Sequence, residues 1–231
     1  MQKNQNSVIA VIIATLDEEE GIGPTIEELQ KYLIDPYLLV IDGWSTDRTV
    51  EIAKGMGADI VFQERKGKGN ALRHGIEQLG SKVRYVVFID ADHTYPAEYI
   101  PKMVEILDGN PDVGMVIGNR FNEEFSFKKA STSAFYTGNR LLAFAQHVVN
   151  GIKLTDPLSG MRVVRYEILK GWKPKSEGFD VEAEMNYLVE RLRYRTVEIP
   201  IEYRVRLGEK KLKLRHGLTI LKRILSESLA Q

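Results

Sequence analysis

The chain has 231 residues, 43% of them hydrophobic, and its 32 lysines and arginines are balanced by 32 aspartates and glutamates. A chain of this size and composition can bury one substantial core, and zero net charge excludes a general electrostatic attraction to nucleic acid. The absence of cysteine from the sequence excludes disulfide frameworks, thiolate metal sites and cysteine nucleophiles.

Apolar runs and segments with helical spacing alternate along the first half of the chain. The apolar runs predict strands at residues 8–14, 38–41, 60–62, 83–89 and 115–117. The segments between them predict helices at residues 26–32, 46–54, 71–79 and 99–107. This alternation is typical of right-handed βαβ units, so we expect an α/β fold with a mostly parallel sheet whose strand ends meet at one edge.

The second half of the chain has a different design. A polar segment at residues 122–133 is followed by a predicted helix at 135–149, a loop at 155–160, and helices starting near Asp180 and His216. No repeat or flexible linker divides the sequence. We therefore expect a single domain, made of a nucleotide-binding half (1–120), an acceptor half (121–207) and a basic amphipathic C-terminal segment (208–231).

Two carboxylates, Asp90 and Asp92, follow the apolar run at residues 85–89. Ligands of open α/β sheets bind outside the carboxyl ends of the strands. Carboxylate oxygens suit Mg²⁺ or Mn²⁺, and Mg²⁺ usually binds through one or two carboxylates plus substrate phosphates. The pair therefore predicts a metal site for a nucleotide sugar. The alternative for an isolated Asp-X-Asp is a turn in which aspartate caps the backbone.

Polar groups also follow the first three predicted strands, at residues 14–18, 42–47 and 65–70. Asp42 is a candidate to accept hydrogen bonds from a ribose or a base edge, as an acidic residue does in dinucleotide-binding folds. Gly67 and Gly69 allow a ligand to approach the backbone, and Lys66 and Lys68 add positive charge suited to phosphate or base. The alternatives are helix capping after the second strand and a solvated turn at the lysines.

In this order, the motifs resemble those of the family 2 inverting glycosyltransferases with the GT-A fold, and especially the polyprenol-phosphate sugar synthases. The matching segments are residues 15–18, 41–49, 67–71, 90–92, 118–120, 156–162, 178–184 and 206–212. The resemblance implies a Rossmann-like, mostly parallel sheet with flanking helices. It also implies a hexosyltransferase that inverts the anomeric carbon, uses Mg²⁺ or Mn²⁺, and moves a sugar from a nucleotide sugar to polyprenyl or dolichyl phosphate.

The resemblance also implies roles for individual residues. Asp90 and Asp92 would bind the metal, which neutralises charge on the departing diphosphate. The residues implied to be catalytic are Asp92, Asp156, Arg120 and Arg206. Those implied to bind the nucleotide are Ala14, Thr15, Leu16, Glu18, Asp42, Lys68, Asp90 and Ala91. Those implied to bind the acceptor or the sugar are Ser159, Gly160, Asp180, Glu182, Arg204 and Lys213.

The acceptor determines which of these groups the reaction needs. A phosphate monoester is largely dianionic at about pH 7, so it requires cations more than a general base. Asp156 could hold sugar hydroxyls, orient the acceptor or act as a base, or it could belong to an ordinary turn. Glu182 and Glu184 are two residues apart on a helix, so we expect only one to face the site. For Arg162 we favour a structural role.

Several positions depart from the pattern of the synthases. They usually carry three acidic residues where this chain has Asp42-Gly43-Trp44, and glutamine where it has Thr94. The sequence at residues 42–47 resembles that of relatives that use uridine donors, so we expect a UDP-sugar in preference to GDP-mannose. Asp180 stands where mannose-transferring relatives often carry a basic residue, which also argues against mannose.

The C-terminal segment predicts contact with a membrane surface. Basic residues between 204 and 223 alternate with leucines and isoleucines, and the helix from His216 resembles those that lie on anionic lipid headgroups. The helix at 135–149 is a second candidate, and core packing is the alternative for both. Residues 1–7 are polar and no apolar stretch is long enough for a membrane span, so we expect a cytoplasmic protein, peripheral at the cytoplasmic face.

Other functions fit the sequence less well. A family 2 enzyme acting on a soluble sugar, polyol or glycan is the main alternative. Sugar nucleotidyltransferases normally open with a glycine-rich loop carrying an arginine, which residues 14–18 do not match. A nucleotide-sugar sensor without catalysis would be expected to lose Asp90 and Asp92, and both are present.

Overall fold

The structure is a computed structural model that describes residues 8–121, 133–209, 211, 213 and 216–228. The predicted polar N-terminus at residues 1–7 and the polar segment up to residue 132 lie outside the described residues. So do Lys210, Leu212, Leu214 and Arg215 of the basic C-terminal segment.

The described residues contain seven strands in one mixed sheet. The strands are β1 (Ile9–Thr15), β2 (Tyr37–Asp42), β3 (Asp59–Phe62), β4 (Tyr85–Asp90), β5 (Val113–Asn119), β6 (Arg162–Arg165) and β7 (Arg195–Pro200). Their order in the sheet is β3-β2-β1-β4-β6-β5-β7, and only β6 runs antiparallel to its neighbours in this part of the chain. The predicted mostly parallel α/β sheet is therefore confirmed.

Eight α-helices lie within the described residues. They are α1 (Glu19–Tyr32), α2 (Thr49–Gly55), α3 (Lys68–Glu77), α4 (Ile100–Gly109), α5 (Ala134–Asn150), α6 (Tyr166–Leu169), α7 (Val181–Arg191) and α8 (His216–Ser228). Helix α1 begins seven residues before the predicted start at 26 and contains Pro24 in its second turn. A proline at such a position removes one backbone hydrogen bond, and the helix nevertheless continues to Tyr32.

The core covers both faces of the sheet. In β1, Val11 and Ile13 pack on one face, and Ala10 and Ile12 on the other. Burial on both faces is typical of parallel strands and explains the continuous apolar runs in the sequence. A smaller cluster joins α5 and α7 to α8, whose Ile220 and Ile224 are buried there, so one side of the C-terminal helix packs on the core. Within the described residues, no helix combines the length and the apolar character that a membrane span requires.

Candidate functional site

The loops after β1, β2 and β4 adopt unusual backbone conformations at one edge of the sheet. Asp17, Trp44 and His93 have φ angles of 48°, 68° and 59°, which residues other than glycine rarely adopt. Such backbone strain is concentrated at functional sites, where surrounding contacts maintain it. The three loops therefore mark this edge as the place to look for a ligand site.

At the end of β4, the Asp90 carboxylate is paired with Lys68 from the start of α3. Lys68 Nζ lies 2.6 Å from Asp90 Oδ1 and 2.8 Å from Glu182 Oε1 on α7. Burial disfavours an ionised aspartate, but the Lys68 ammonium outweighs it and holds the pKa of Asp90 below its usual range. Burial likewise disfavours a charged Lys68, yet the two carboxylates raise its pKa. The three groups therefore form a partly buried charged cluster.

Gly160 lies directly against the Asp90 carboxylate. A Cβ added to Gly160 would be 2.3 Å from Asp90 Oδ2, so any side chain there would displace the carboxylate. The N–H of Gly160 donates to the hydroxyl oxygen of Tyr95, which is buried, at 2.8 Å. Tyr95 thus holds the loop at residues 155–160 against the end of β4, which the sequence did not predict.

The second aspartate of the pair, Asp92, is only 4% exposed, and both of its carboxylate oxygens are engaged. Oδ1 accepts hydrogen bonds from the hydroxyl and the amide of Thr94, at 2.6 and 3.2 Å. Oδ2 pairs with the Arg206 guanidinium. Burial, together with the nearby Asp90, raises the pKa of Asp92. Thr94, where the synthases usually carry glutamine, therefore orients Asp92.

The segment at residues 201–207 lies against the loop that follows β4 and contacts Asp92. The amides of Arg204 and Leu207 donate to the carbonyls of Thr94 and Asp92, at 3.0 and 3.1 Å. The Arg206 side chain joins Asp92 to Glu18, which follows β1. Three segments distant in sequence thus meet at one guanidinium.

Glu18 is a buried carboxylate of this site with one oxygen unpaired. Its Oε2 atom is buried without a hydrogen-bond partner in this structure. Burial, opposed in part by Arg206 and Lys211, raises the pKa of Glu18 to about 7. A glutamate with this pKa is partly protonated at neutral pH.

We expect Glu18 to make the stability of the protein depend on pH. Its pKa is raised from 4.5 to about 7, so the folded state binds more protons than the unfolded state between these values. The stabilisation is fully present below pH 4.5 and is lost as the pH rises through about 7. The measurement is urea unfolding of the wild type and Glu18→Gln from about pH 5 to about pH 8. The free energy of unfolding of the wild type minus that of the variant should fall as the pH rises. A difference that stays constant would contradict a raised pKa at Glu18.

The carboxylate of Asp156 is fully buried and bound on every side. Arg120, just after β5, donates to it through Nε at 2.8 Å, Nη2 at 2.7 Å and its backbone amide at 3.0 Å. Asn139 of α5 adds a fourth hydrogen bond at 2.8 Å. Burial would raise the pKa of Asp156, but Arg120 holds it below its usual range. This geometry argues against action as a base, one of the roles left open by the sequence. The carboxylate instead orients the Arg120 guanidinium, which the sequence did not predict.

Ser159 of this loop and Arg162 at the start of β6 hold the loop in its conformation. The Ser159 hydroxyl donates to the carbonyl of Gly118 at 2.6 Å, and Ser159 is fully buried. Arg162, also buried, donates to the carbonyls of Ser159 and Pro157 and to Asn186 on α7, at 2.9, 2.5 and 2.6 Å. These contacts fit the structural role favoured for Arg162.

On the nucleotide side, Asp42 holds the ends of β1 and β2 together. Its Oδ2 atom accepts hydrogen bonds from the hydroxyls of Thr15 and Ser45 at 3.0 and 2.5 Å, and Oδ1 accepts from the Ser45 amide at 2.8 Å. Asp42 is fully buried, so direct contact with a ribose would require its carboxylate to become accessible. Ala14 and Leu16 flank Thr15 at the same edge, and Ala91 is buried between the two aspartates.

Several residues implied to bind the acceptor have partners elsewhere. Arg204 forms a two-pronged ion pair with Glu28 of α1, at 2.8 and 2.9 Å. Asp180 immediately precedes α7 and pairs with Arg223 of α8 at 3.1 Å. Lys213 is exposed. The structure therefore brings Lys68, Glu182 and Gly160 to the aspartate pair, but turns Arg204 and Asp180 to other contacts.

Glu182 and Glu184 point in different directions, as their spacing on a helix requires. Glu182 faces Lys68, whereas Glu184 accepts hydrogen bonds from the amides of Lys175 and Ser176 at 2.8 and 2.7 Å. Beside Lys68 there is a cavity of about 460 Å³. It lies between the start of α3, the loop before α7 and the start of α8. Its lining includes Lys175, Phe179, His216 and Arg223.

The donor set at Asp90 and Asp92 fits a divalent metal bound together with a diphosphate. Within the described residues no three or more histidine, aspartate or glutamate side chains are grouped to hold a metal ion on their own. Two carboxylates are nonetheless what Mg²⁺ uses when substrate phosphates complete its coordination. Lys68 and Arg206 neutralise these carboxylates in the structure as it stands.

Comparison with known proteins points to one family. The family model described as glycosyl transferase family 2 matches residues 10–172. A dolichyl-phosphate hexose transferase of Haloferax volcanii is 32% identical over 206 residues, 88% of this chain and 86% of that protein. A dolichol-phosphate mannosyltransferase of Pyrococcus furiosus is 28% identical over 236 residues, 93% of this chain. The match covers 64% of that protein, slightly less than two thirds.

Solved structures agree on the fold. The glucosyl-3-phosphoglycerate synthase of Mycobacterium tuberculosis, in complex with Mn²⁺, UDP-glucose and phosphoglyceric acid, has a TM-score of 0.75 and 24% identity. The match covers 95% of this chain and 79% of that one. A complex of the same synthase with Mg²⁺ and UDP has a TM-score of 0.74 and 25% identity. The predicted GT-A fold is thereby confirmed.

Proposed function

Because this chain belongs to glycosyl transferase family 2 and is similar to the polyprenol-phosphate sugar synthases, we propose that it transfers a hexose from a nucleotide sugar to polyprenyl or dolichyl phosphate. The observation that carries this proposal is the Arg120–Asp156 pair. The Asp156 carboxylate is occupied by hydrogen bonds from Arg120 and Asn139, and its pKa is lowered. It is therefore poorly suited to deprotonate a hydroxyl acceptor. A phosphate acceptor needs no such base, but it needs cations of the kind that Arg120 and Arg206 supply.

Asp90 and Asp92 are the residues that would hold Mg²⁺ or Mn²⁺ in this proposal. When bound, the metal supplies a Lewis acid that neutralises charge on the departing diphosphate. The related synthase was solved with Mn²⁺ or Mg²⁺ and with UDP, which supports a metal and a UDP-sugar here. In the inverting displacement we propose, the acceptor oxygen attacks the anomeric carbon from the face opposite the diphosphate.

Other residues of the chain fix the two aspartates and bind the acceptor in this proposal. Lys68 and Glu182 fix the Asp90 carboxylate, and Thr94 fixes Asp92. Arg120 uses Nε and Nη2 on Asp156, and its other terminal nitrogen is the group we assign to the acceptor phosphate. Arg206 would neutralise charge beside the aspartate pair. The segment at 201–207 holds the loop after β4 through hydrogen bonds to the carbonyls of Asp92 and Thr94.

A direct assay tests the donor and the acceptor together. The protein is incubated with Mg²⁺ or Mn²⁺, a panel of labelled UDP- and GDP-sugars and a polyprenyl phosphate, and the lipid is extracted. We expect label from a UDP-sugar in the organic phase, dependent on the metal. Nucleotide release that is equal without lipid would contradict the proposal.

A phosphorylated soluble acceptor is the second candidate. The related synthase from Mycobacterium tuberculosis was solved with phosphoglyceric acid, which supports an acceptor that carries phosphate but no lipid. In the same assay, label that passes only to a water-soluble acceptor would favour this second function over the first.

We further propose that α5 and α8 contact the membrane that carries the lipid acceptor. Leu141, Phe144 and Val148 lie on one side of α5 and are each 64–65% exposed. On α8, which packs beside α5, Leu218 and Leu225 are exposed together with Lys222, while the opposite side is in the core. An exposed apolar face next to basic residues suits an anionic membrane surface. This supports a peripheral location.

We expect the double variant Phe144→Asp/Val148→Asp to lose binding to vesicles containing phosphatidylglycerol, because two charges would enter the apolar face. These substitutions are a clearer test than removal of the residues after 208, because that truncation would also remove Ile220 and Ile224 of α8 from the core. Sedimentation with vesicles measures the loss, and nucleotide binding should not change. Ile34→Asp, at a residue 95% exposed between α1 and β2, is the matched control. Sedimentation of the double variant at the wild-type level would refute the membrane surface.

A further inference from the structure

Trp44 is an exposed aromatic residue held rigidly at the edge of the candidate site. Its side chain is 65% exposed, yet its indole stacks on Phe62 with ring centroids 4.8 Å apart. The indole N–H also donates to the carbonyl of Gln63 at 3.0 Å. The ring is thus fixed on one face and along one edge, while much of its surface remains open to solvent.

The backbone of Trp44 is strained. A surface residue without a function would give no reason to maintain such a conformation. A φ of 68° is unfavourable for any residue with a Cβ and marked for a bulky aromatic one. Hydrogen bonds from the Ser45 amide and hydroxyl to Asp42, at 2.8 and 2.5 Å, hold the turn on its C-terminal side. The structure therefore maintains an aromatic ring in this place at a conformational cost.

The surroundings of Trp44 form an apolar margin next to the ends of β1 and β2. Gly43 lies so close to the preceding strand end that a Cβ there would be 3.1 Å from the Thr15 carbonyl oxygen and 3.4 Å from Leu16 Cβ. Leu16 is itself 43% exposed. Two exposed apolar side chains, Leu16 and Trp44, thus lie on either side of a glycine where the ends of β1 and β2 approach each other closely.

We propose that the open face of Trp44 is the platform on which the nucleobase of the donor stacks. This rests on the proposed function, which places the donor diphosphate at Asp90 and Asp92. In the sheet, β2 and β4 are separated only by β1, so their ends are about 10 Å apart at the usual strand spacing. A ribose bridges such a gap between a diphosphate at β4 and a base at the turn after β2.

A nucleobase suits this platform better than a sugar or a lipid chain. Every base has a flat π-face, and stacking on an aromatic side chain is favourable for purines and pyrimidines alike. The platform therefore contributes affinity for nucleotides in general, and discrimination between bases must come from hydrogen-bonding groups nearby. The buried side chain of Gln63, whose Nε2 lies 3.3 Å from where a Cβ of Gly43 would be, is one such group.

Tryptophan fluorescence and calorimetry test the platform. The chain has two tryptophans, so Trp172→Phe leaves Trp44 as the single reporter. We expect UDP and GDP with Mg²⁺ to quench its emission, and pyrophosphate with Mg²⁺ to leave it unchanged. By calorimetry, Trp44→Ala should weaken binding of UDP and GDP by between about fivefold and about a hundredfold, without weakening binding of pyrophosphate. Trp44→Phe, which keeps an aromatic face, should retain most of the affinity, and Ile34→Ala is the control.

The outcomes separate this inference from the proposed function. If the wild type binds UDP or GDP and Trp44→Ala binds them equally well, the platform is refuted while the transferase proposal stands. Quenching by pyrophosphate equal to that by UDP would also refute it, because the signal would then not report the base. If the wild type binds no nucleoside diphosphate, both proposals fail. If Trp44→Ala does not fold, Trp44→Phe and the fluorescence titration decide.

Discussion

Replacing Asp92 with asparagine should lower turnover by about a hundredfold or more while the protein remains folded. Asparagine keeps an oxygen that can accept from Thr94, but it removes the negative charge that faces Arg206 and that we assign to the metal. Loss of a group that stabilises charge at a reacting centre typically costs about a hundredfold to a thousandfold in rate. Initial rates with a labelled nucleotide sugar and polyprenyl phosphate measure the effect.

The matched control for this change is Asp112→Asn. Asp112 also pairs with an arginine, Arg195, but the pair is exposed and lies where β5 and β7 begin, at the other end of the sheet. We expect normal turnover from this control. Thermal unfolding followed by circular dichroism should show that Asp92→Asn remains folded. Turnover of Asp92→Asn at the wild-type level would refute the role of this carboxylate.

Replacing Asp156 with alanine should lower the free energy of unfolding by about 3 to 5 kcal/mol, because it leaves the Arg120 guanidinium buried without its partner. The carboxylate is fully buried and the Arg120 side chain only 17% exposed, so water can replace little of the lost interaction. Urea unfolding measures the change. Asp112→Ala, which breaks an exposed pair, should cost less than about 1 kcal/mol.

A double variant separates stability from activity at the same pair. Arg120→Met/Asp156→Leu removes both charges and fills the space with apolar side chains, which often restores the stability lost when one partner is removed. We expect this variant to recover most of the free energy of unfolding but no transfer activity, since Arg120 is our candidate for the acceptor phosphate. Restored activity in the double variant would contradict that assignment.

The fold was predictable where burial leaves a strong trace in the sequence. Strands β1, β2 and β4 are covered on both faces, and their continuous apolar runs predicted them to within two residues at each end. β6 and β7 were not predicted. β6 has only four residues and begins and ends with arginine, and β7 lies at the sheet edge, where polar and apolar residues mix.

The site was predictable in position but not in its pairings. The carboxyl ends of neighbouring parallel strands must meet, so polar residues after each apolar run were placed together correctly. The partner of a given side chain depends on packing between distant segments. Arg206 meets Asp92 from 114 residues away, and Arg204, expected at the acceptor, meets Glu28 from 176 residues away. Local sequence carries no signal for such pairs.

The antiparallel strand β6 has a consequence for how this protein is made. It lies between β4 and β5, so the sheet has a gap until residues 162–165 leave the ribosome. A fragment ending at residue 120 would expose the unpaired edges of two apolar strands, which favour aggregation. Synthesis of about 40 more residues must precede closure, a long-range pairing of the kind that slows folding. A nascent chain is therefore vulnerable during that interval.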